Sequence, residues 1–287
     1  MIAYQNIFNI MKKISLFTFL FLSLSLYSQL KIGVKAGYSL GNLPDPTSNI
    51  YSEDYKTLGG IDVGISGEYE LSDRFSLLTE VQWVKRGGKR NGLQPIPANF
   101  LLPQLQSIGI DANTLNQIIV FSGGVPLSNE DPLYASFENE SRINYIEVPV
   151  LLKYHFSKSK SWNFYLEGGP YSGFLINAKQ RGSGTSQFFI DAQGNQPLII
   201  QNPFGTPPVI ELPAQSFDES NEVSDQFNNF NFGLQGGIGV QKRIDDKYEV
   251  LFGTRASYGF LSVQEDSLLG SSKIGALTFF GRITYRL

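Results

Sequence analysis

His155 is the only histidine in 287 residues, and there is no cysteine. By residue type it is the one side chain with an ordinary titration near neutral pH, and so the one candidate general base. A nucleophilic relay also needs a serine and an orienting group at the ring. Nothing in the spacing around His155 supplies them; its near neighbours are Lys153, Lys158 and Lys160. The lack of cysteine removes thiol chemistry, disulfide frameworks and zinc ribbons, and one histidine cannot make a His-rich metal site. The pairs Gly87-Gly88, Gly123-Gly124, Gly168-Gly169 and Gly236-Gly237 do not open a helix after a strand, so they are not phosphate cradles. A formal net charge of −3 argues against a nucleic-acid surface. The reading is a non-enzymatic chain with no catalytic residue, no cofactor and no metal.

The charges that remain are distributed by a rule. Glu68, Glu80, Glu147, Glu167, Lys153, Arg243, Arg255 and Arg282 all stand opposite rows of apolar side chains. Ile61, Val63, Ile65 and Tyr69 alternate with Asp62, Gly64, Ser66, Glu68 and Glu70, and Phe75, Leu77, Val81 and Trp83 lie opposite Ser76, Glu80 and Gln82. A strand sends successive side chains to opposite faces, so period-two alternation marks a strand with one apolar and one polar face. It predicts eight strands near 30–40, 59–71, 74–86, 142–156, 162–178, 228–244, 247–261 and 273–287. Most are longer than the usual 5–6 residues of a soluble strand and suit the roughly 9–11 residues a tilted strand needs to cross a bilayer. Twenty-nine glycines and thirteen per cent aromatics fit the same picture.

The connections alternate too. Ser72-Asp73, 157–161 and Asp245-Asp246 are short, whereas 41–58, 87–141, 179–227 and 262–272 are long. Short turns at one end and long loops at the other are the habit of a transmembrane barrel, with the long loops extracellular and both termini periplasmic. A soluble eight-stranded barrel also alternates, with its apolar face inward; strand length, the aromatic supply and the strand at the chain terminus favour the membrane. The expected fold is therefore all-β: an eight-stranded antiparallel up-and-down transmembrane β-barrel with two long extracellular loops, spanning 29–287. Its lumen is just wide enough for side chains, so the eight charges named above are expected to pair there as a structural network. Tyr38, Tyr69, Trp83, Tyr154, Phe156, Trp162, Tyr248, Tyr258 and Tyr285 fall near strand ends and are expected to form interfacial girdles. Pro149 falls inside a strand of a sheet without free edges, which predicts a bulge there.

Lys12-Lys13, the apolar run 14–27 and Ser28 read as a cleaved secretory leader covering 1–28. The long loops are net acidic and contain apolar stretches at 101–120, with a short helix expected around 112–120, and at 197–213. Such stretches either fold on each other or face a partner. The expected partners are outer-membrane lipid, another envelope protein through 101–120 and 197–213, and barrel-assembly machinery through the C-terminal strand.

The segment Asn144-Tyr145-Ile146-Glu147-Val148-Pro149-Val150-Leu151-Leu152-Lys153-Tyr154 resembles the fourth-strand signature of the PorT-family outer-membrane β-barrels of Bacteroidetes. Lys31–Leu40 directly after the leader, Gly168-Gly169-Pro170-Tyr171 and the closing strand Phe279–Leu287 carry the same resemblance. It implies an outer-membrane barrel, without naming a ligand. Asp266-Ser267-Leu268 resembles the Asp-Ser/Thr-aliphatic O-glycosylation motif of the same bacteria.

Overall fold

A computed structural model describes residues 29–45, 49–51, 54–97, 132–156, 162–201, 209–266 and 271–287. The expected leader, the apolar stretch 101–120 with its helix, the 157–161 turn and Ser267-Leu268 lie outside the described residues. The elements in chain order are β1 (Leu30–Asn42), β2 (Lys56–Glu70), β3 (Phe75–Pro97), β4 (Pro132–His155), β5 (Trp162–Ser183), β6 (Thr185–Ser186), β7 (Ile199–Gln201), β8 (Val209–Glu211), β9 (Gln215–Ser216), β10 (Glu219–Glu222), a 3-10 turn at Ser224–Gln226, β11 (Phe230–Arg243), β12 (Tyr248–Gly259) and β13 (Gly275–Arg286). Strands β1 to β5 and β11 to β13 pair antiparallel with their neighbours in sequence order, and β13 returns to β1 from Lys31↔Arg286 to Asn42↔Gly275. The ring of eight strands is closed, so every ring strand has two neighbours.

Burial along these strands is inverted relative to a soluble barrel. Val34, Ile65 and Phe164 on the outer wall are 61%, 63% and 66% exposed, whereas Lys31, Glu80 and Arg282 on the inner face are 2%, 2% and 1% exposed. An apolar outer wall around a charged interior is stable only with lipid outside. This excludes the soluble alternative that periodicity alone leaves open.

Two expectations need correction. The ladder of β3, β4 and β5 runs well past the expected strand ends, to Pro97↔Pro132 and Glu138↔Ser183. Alternation fades there because a strand beyond the bilayer need not present an apolar face. Pro149 carries no bulge: β3–β4 keeps one register from Thr79↔Val150 to Gln82↔Glu147, and β4–β5 keeps one from Pro149↔Tyr171 to Leu152↔Gly168. The irregularity sits at Asn144/Tyr145 instead. Pro149 and Pro170 lack N–H groups, so the ladder loses rungs locally without an inserted residue; Thr79 Oγ1 donates to the Pro149 carbonyl at 3.2 Å.

The turns and loops divide as the connection lengths imply. In the β2–β3 turn the backbone N–H groups of Leu71 and Ser72 donate to the Phe75 carbonyl at 2.9 and 3.0 Å. Beyond Phe230↔Phe174, where β11 leaves β5, β10 takes its place from Glu219↔Gly182 to Glu222↔Lys179. The β6–β9 and β7–β8 pairs complete the long β5–β11 connection. Its Phe217 ring stacks on Phe137 of β4 with centroids 4.2 Å apart, and Phe188 meets Phe217 edge-on.

Candidate functional site

Inward positions recur every second residue, so each strand delivers a column of side chains to the lumen. Lys31 and Lys35 come from β1, Asp62 and Glu68 from β2, Glu80 and Arg86 from β3, Glu147 and Lys153 from β4, Glu167 from β5, Glu249 and Arg255 from β12, and Arg282 from β13; all are buried. Glu80 is the hub: Lys35 reaches it at 3.2 Å and Arg255 at 2.7 Å, and Arg282 pairs with it as well. Arg255 also pairs with Glu167. Nearer the long-loop end Arg86 joins Asp62 at 2.7 Å and Glu147 at 3.5 Å. Nearer the turn end Lys153 joins Glu68 at 2.9 Å, and Lys31 joins Glu249 at 2.7 Å and Glu70 at 3.0 Å. Gln82 and Gln235 complete Glu147, donating to it at 3.2 and 2.8 Å. Among the described residues the lumen holds six buried lysines and arginines against six buried carboxylates, so charge balances within the tube.

Seven of the eight charges expected in the lumen are there. Arg243 is not: its side chain is 46% exposed, and it reaches Glu249 only at 3.7 Å. It has inward parity, but it lies beside the Asp245 turn, beyond the rim. Lys31, Lys35, Asp62, Arg86 and Glu249 were not foreseen as network members, although the parity of their strands would have placed them.

His155 closes the turn-end side of the lumen. Its Nε2 lies 3.0 Å from Ser76 Oγ and 3.5 Å from Glu68, and its Nδ1 lies 3.3 Å from the Asn163 amide nitrogen. Sequence spacing gave no sign of these partners, because they come from β2, β3 and β5 through register. Ser76, His155 and Asn163 are 0%, 1% and 5% exposed. Ser76 Oγ and Glu68 on one side and Asn163 on the other thus occupy both ring nitrogens. That arrangement is a buried polar link among β2, β3, β4 and β5.

Two lumen aromatics fill space that glycines leave. A Cβ on Gly37 or Gly253 would meet Phe280, and a Cβ on Gly239 would meet the Tyr165 hydroxyl. Lys35, Arg255 and Arg282 surround the Phe280 ring at 4.7, 5.1 and 5.4 Å from its centroid. The ring's negative faces attract these cations, adding to the ion pairs.

The long-loop mouth is closed by different chemistry. Leu43, Val84, Ile143, Tyr145, Ala178, Val223, Val263 and Ile274 form one buried apolar cluster, flanked by Tyr55, Leu175 and Phe227. Val84, Ile143, Tyr145 and Ala178 belong to strands; Leu43, Val223, Val263 and Ile274 belong to three different connections. Backbone bonds lace these connections: Val223 N donates to the Ala178 carbonyl at 2.9 Å and Val263 N to the Ser272 carbonyl at 2.8 Å.

Outside, aromatics make two bands. Tyr69, Phe75, Tyr154, Phe156, Trp162, Tyr248 and Tyr285 lie at the turn end, with Phe75–Tyr154 and Tyr248–Tyr285 centroids each 5.2 Å apart. Tyr38, Trp83, Phe174, Phe230, Phe232, Tyr258, Phe260 and Phe279 lie toward the long loops. Of the expected girdle residues, Tyr38, Trp83 and Tyr258 belong to the second band and the other six to the first. Apart from Phe156, the phenylalanines were read only as wall residues. Tyr248 and Tyr258 sit at opposite ends of β12; at about 3.3 Å per residue and a tilt near 40° they span about 25 Å of bilayer.

A closed ring, a lipid-facing apolar wall, paired aromatic bands and a filled charged lumen define a transmembrane β-barrel. The family model for the outer membrane protein beta-barrel domain matches residues 22–265. The chain belongs to that family, which places it in the bacterial outer membrane. The match stops short of β13, the strand that closes the ring. Similar solved structures include Neisserial surface protein A, at 10% identity, covering 90% of this chain and 97% of that one with a TM-score of 0.38. Ail, the attachment invasion locus protein of Yersinia pestis, is similar at 10% identity, 89% and 99% coverage and a TM-score of 0.36. The outer membrane protein OprG from Pseudomonas aeruginosa follows at 10% identity, 90% and 96% coverage and a TM-score of 0.32. Comparison with curated proteins gives no match.

Proposed function

We propose that this protein is a non-enzymatic binding or accessory component of the outer membrane, acting through its long-loop end while the barrel anchors it. One observation carries the reading. Beyond the second aromatic band β3, β4, β5 and β10 continue as a sheet with its own packing, in which Ile96, Leu133, Ala135, Phe188 and Leu198 are buried. A barrel that only strengthened the envelope would not need this projection. Both ends of the ring lie at the turn end; with the long loops outward, the habit of such barrels, the termini are periplasmic. The PorT-type signature Asn144–Tyr154 supplies both lumen groups and lipid wall of β4, in keeping with a barrel of that type from Bacteroidetes. Another envelope protein is the proposed partner, met through 101–120 and 197–213, and β13 is the proposed contact for barrel assembly.

The test is crosslinking of whole cells carrying a tagged copy, followed by purification in mild detergent. A stoichiometric envelope protein is expected, lost on deleting 197–213 while heat-modifiable migration of the barrel persists. A lone monomer under the same conditions would sink the accessory role. The filled lumen also predicts silence in planar bilayers.

A further inference from the structure

Immediately beyond the second aromatic band the outer wall of β3, β4 and β5 turns from apolar to basic. On the first rung Lys85 stands opposite Asn144, with its ammonium 6.0 Å from the Trp83 ring centroid. On the next, Arg142 lies between Gly87 and Lys179; on the third, Glu140 lies between Lys89 and Arg181. Lys56 of β2 stands opposite Lys89. Their chain neighbours Arg86, Ile143 and Ala178 face inward at 2%, 0% and 1% exposure, so these side chains face outward. The Arg142 side chain is 40% exposed and pairs with Glu140; Glu222 of β10 stands opposite Lys179. Six cations thus share the patch with two carboxylates.

Two features point to an anionic ligand. Arg142↔Lys179 and Lys56↔Lys89 are like-charge pairs directly opposite on adjacent strands, which destabilise a sheet, and Glu140 and Glu222 offset them only in part, two carboxylates against six cations. The patch is also continuous with the lipid-facing wall, one residue pair above its aromatic band. Its height selects the kind of lipid. Lys85 to Lys89 covers about 13 Å along the strand, or about 10 Å along the bilayer normal at a tilt near 40°, whereas an ordinary head-group layer adds only about 6 Å to each side of the hydrocarbon. A head group that carries its phosphates on sugars reaches further than a glycerophosphate.

We propose that this wall binds the phosphorylated glycolipid of the outer leaflet, with phosphate oxygens bridging Arg142 to Lys179 and Lys56 to Lys89 through charge-assisted hydrogen bonds. The inference rests on the orientation given above. The basic wall lies on β2 to β5, so the glycolipid is drawn to that side of the barrel.

The full chain in zwitterionic detergent is titrated with diphosphoryl lipid A, dephosphorylated lipid A and phosphatidylglycerol, and bound lipid is counted by native mass spectrometry. Diphosphoryl lipid A is expected to bind best. The triple variant K89Q/R142Q/K179Q should lower its retention by about tenfold or more, while K242Q/K247Q at the turn end and the charge-conserving R142K/K179R should retain it. Heat-modifiable migration shows that each variant is folded. Undiminished binding by the triple variant, equal loss in the turn-end variant, or equal binding of phosphatidylglycerol each overturns the proposal. Orientation is read separately: the chain has no native cysteine, so Ala192→Cys in the β5–β11 connection should react with a membrane-impermeant maleimide on intact cells. Failure there condemns the orientation and leaves the lipid measurement standing as a separate result.

Discussion

Midway along the lumen Glu80 is held by Lys35, Arg255 and Arg282, whereas at the long-loop mouth Leu43, Ile143, Val223, Val263 and Ile274 meet as an apolar cluster. The two fillings differ in origin as much as in polarity. The charged layer is built from ring strands alone, so it forms when the barrel closes. The apolar cap takes half its members from connections, so it forms only when the loops fold back onto the ring. The charged layer is held by direction and partnership, the cap by volume. Removing one atom group from each should therefore fail in different ways.

The largest effect is expected at the hub. Glu80→Gln keeps the shape but leaves Arg282 without the one ion pair described for it, and Lys35 and Arg255 short of a counter-charge. Stranding buried charge costs roughly 3–5 kcal/mol, measurable as a shift in urea unfolding in lipid vesicles. Ile143→Ala in the cap removes volume and strands nothing; about 2–3 kcal/mol is expected, since a mouth lined by loops can collapse. If Ile143→Ala proves costlier than Glu80→Gln in the same assay, the contrast drawn here is wrong.

Gly59→Ala tests the outer wall. Its Cβ would meet the Tyr38 hydroxyl and ring edge, but that ring faces lipid and can turn aside. The expected cost is about 1 kcal/mol, the low end for overpacking, with a larger loss when Gly60, hard against the Lys85 carbonyl, is changed instead.

The smallest effect is at the β11–β12 turn. Asp245 accepts from the backbone N–H of Tyr248 at 2.7 Å and of Lys247 at 2.8 Å. These bonds hold its carboxyl below the usual aspartate range. A depressed pKa means that the turn's stabilisation is present above the unfolded-chain value and disappears as pH falls through the lower folded value. The Tyr248 amide shift should titrate with that low midpoint and become flat in Asp245→Asn. A midpoint at or above the ordinary aspartate value would remove the capping role.

Most of the ring could be read from alternation, because lipid outside and charge inside impose opposite demands on neighbouring residues. Glu68, Glu80, Glu147, Glu167, Lys153, Arg255 and Arg282 were legible for that reason. Where the hydrocarbon ends, so does the demand: Gly87–Pro97 and Pro132–Ser141 carry no apolar outward row, and their strands went unseen. Register decides what parity cannot. His155 finding Ser76 and Asn163, Arg86 finding Asp62, and Leu43 finding Val263 depend on how strands and loops are offset. Pro149 misled because a missing N–H can be absorbed by dropping rungs, without an added residue. Arg243 misled because parity says which way a side chain points and nothing about where the tube stops.

The charge balance in the lumen bears on how many copies a cell can carry. Six positive and six negative groups, each locked to a neighbour, present almost no net field along the tube axis. A free ion at either end meets a low-dielectric barrier with no fixed charge left over to draw it in. If the silence expected in planar bilayers is found, the barrel behaves electrically as a patch of bilayer, and its abundance can rise without adding a leak to the permeability of the outer membrane.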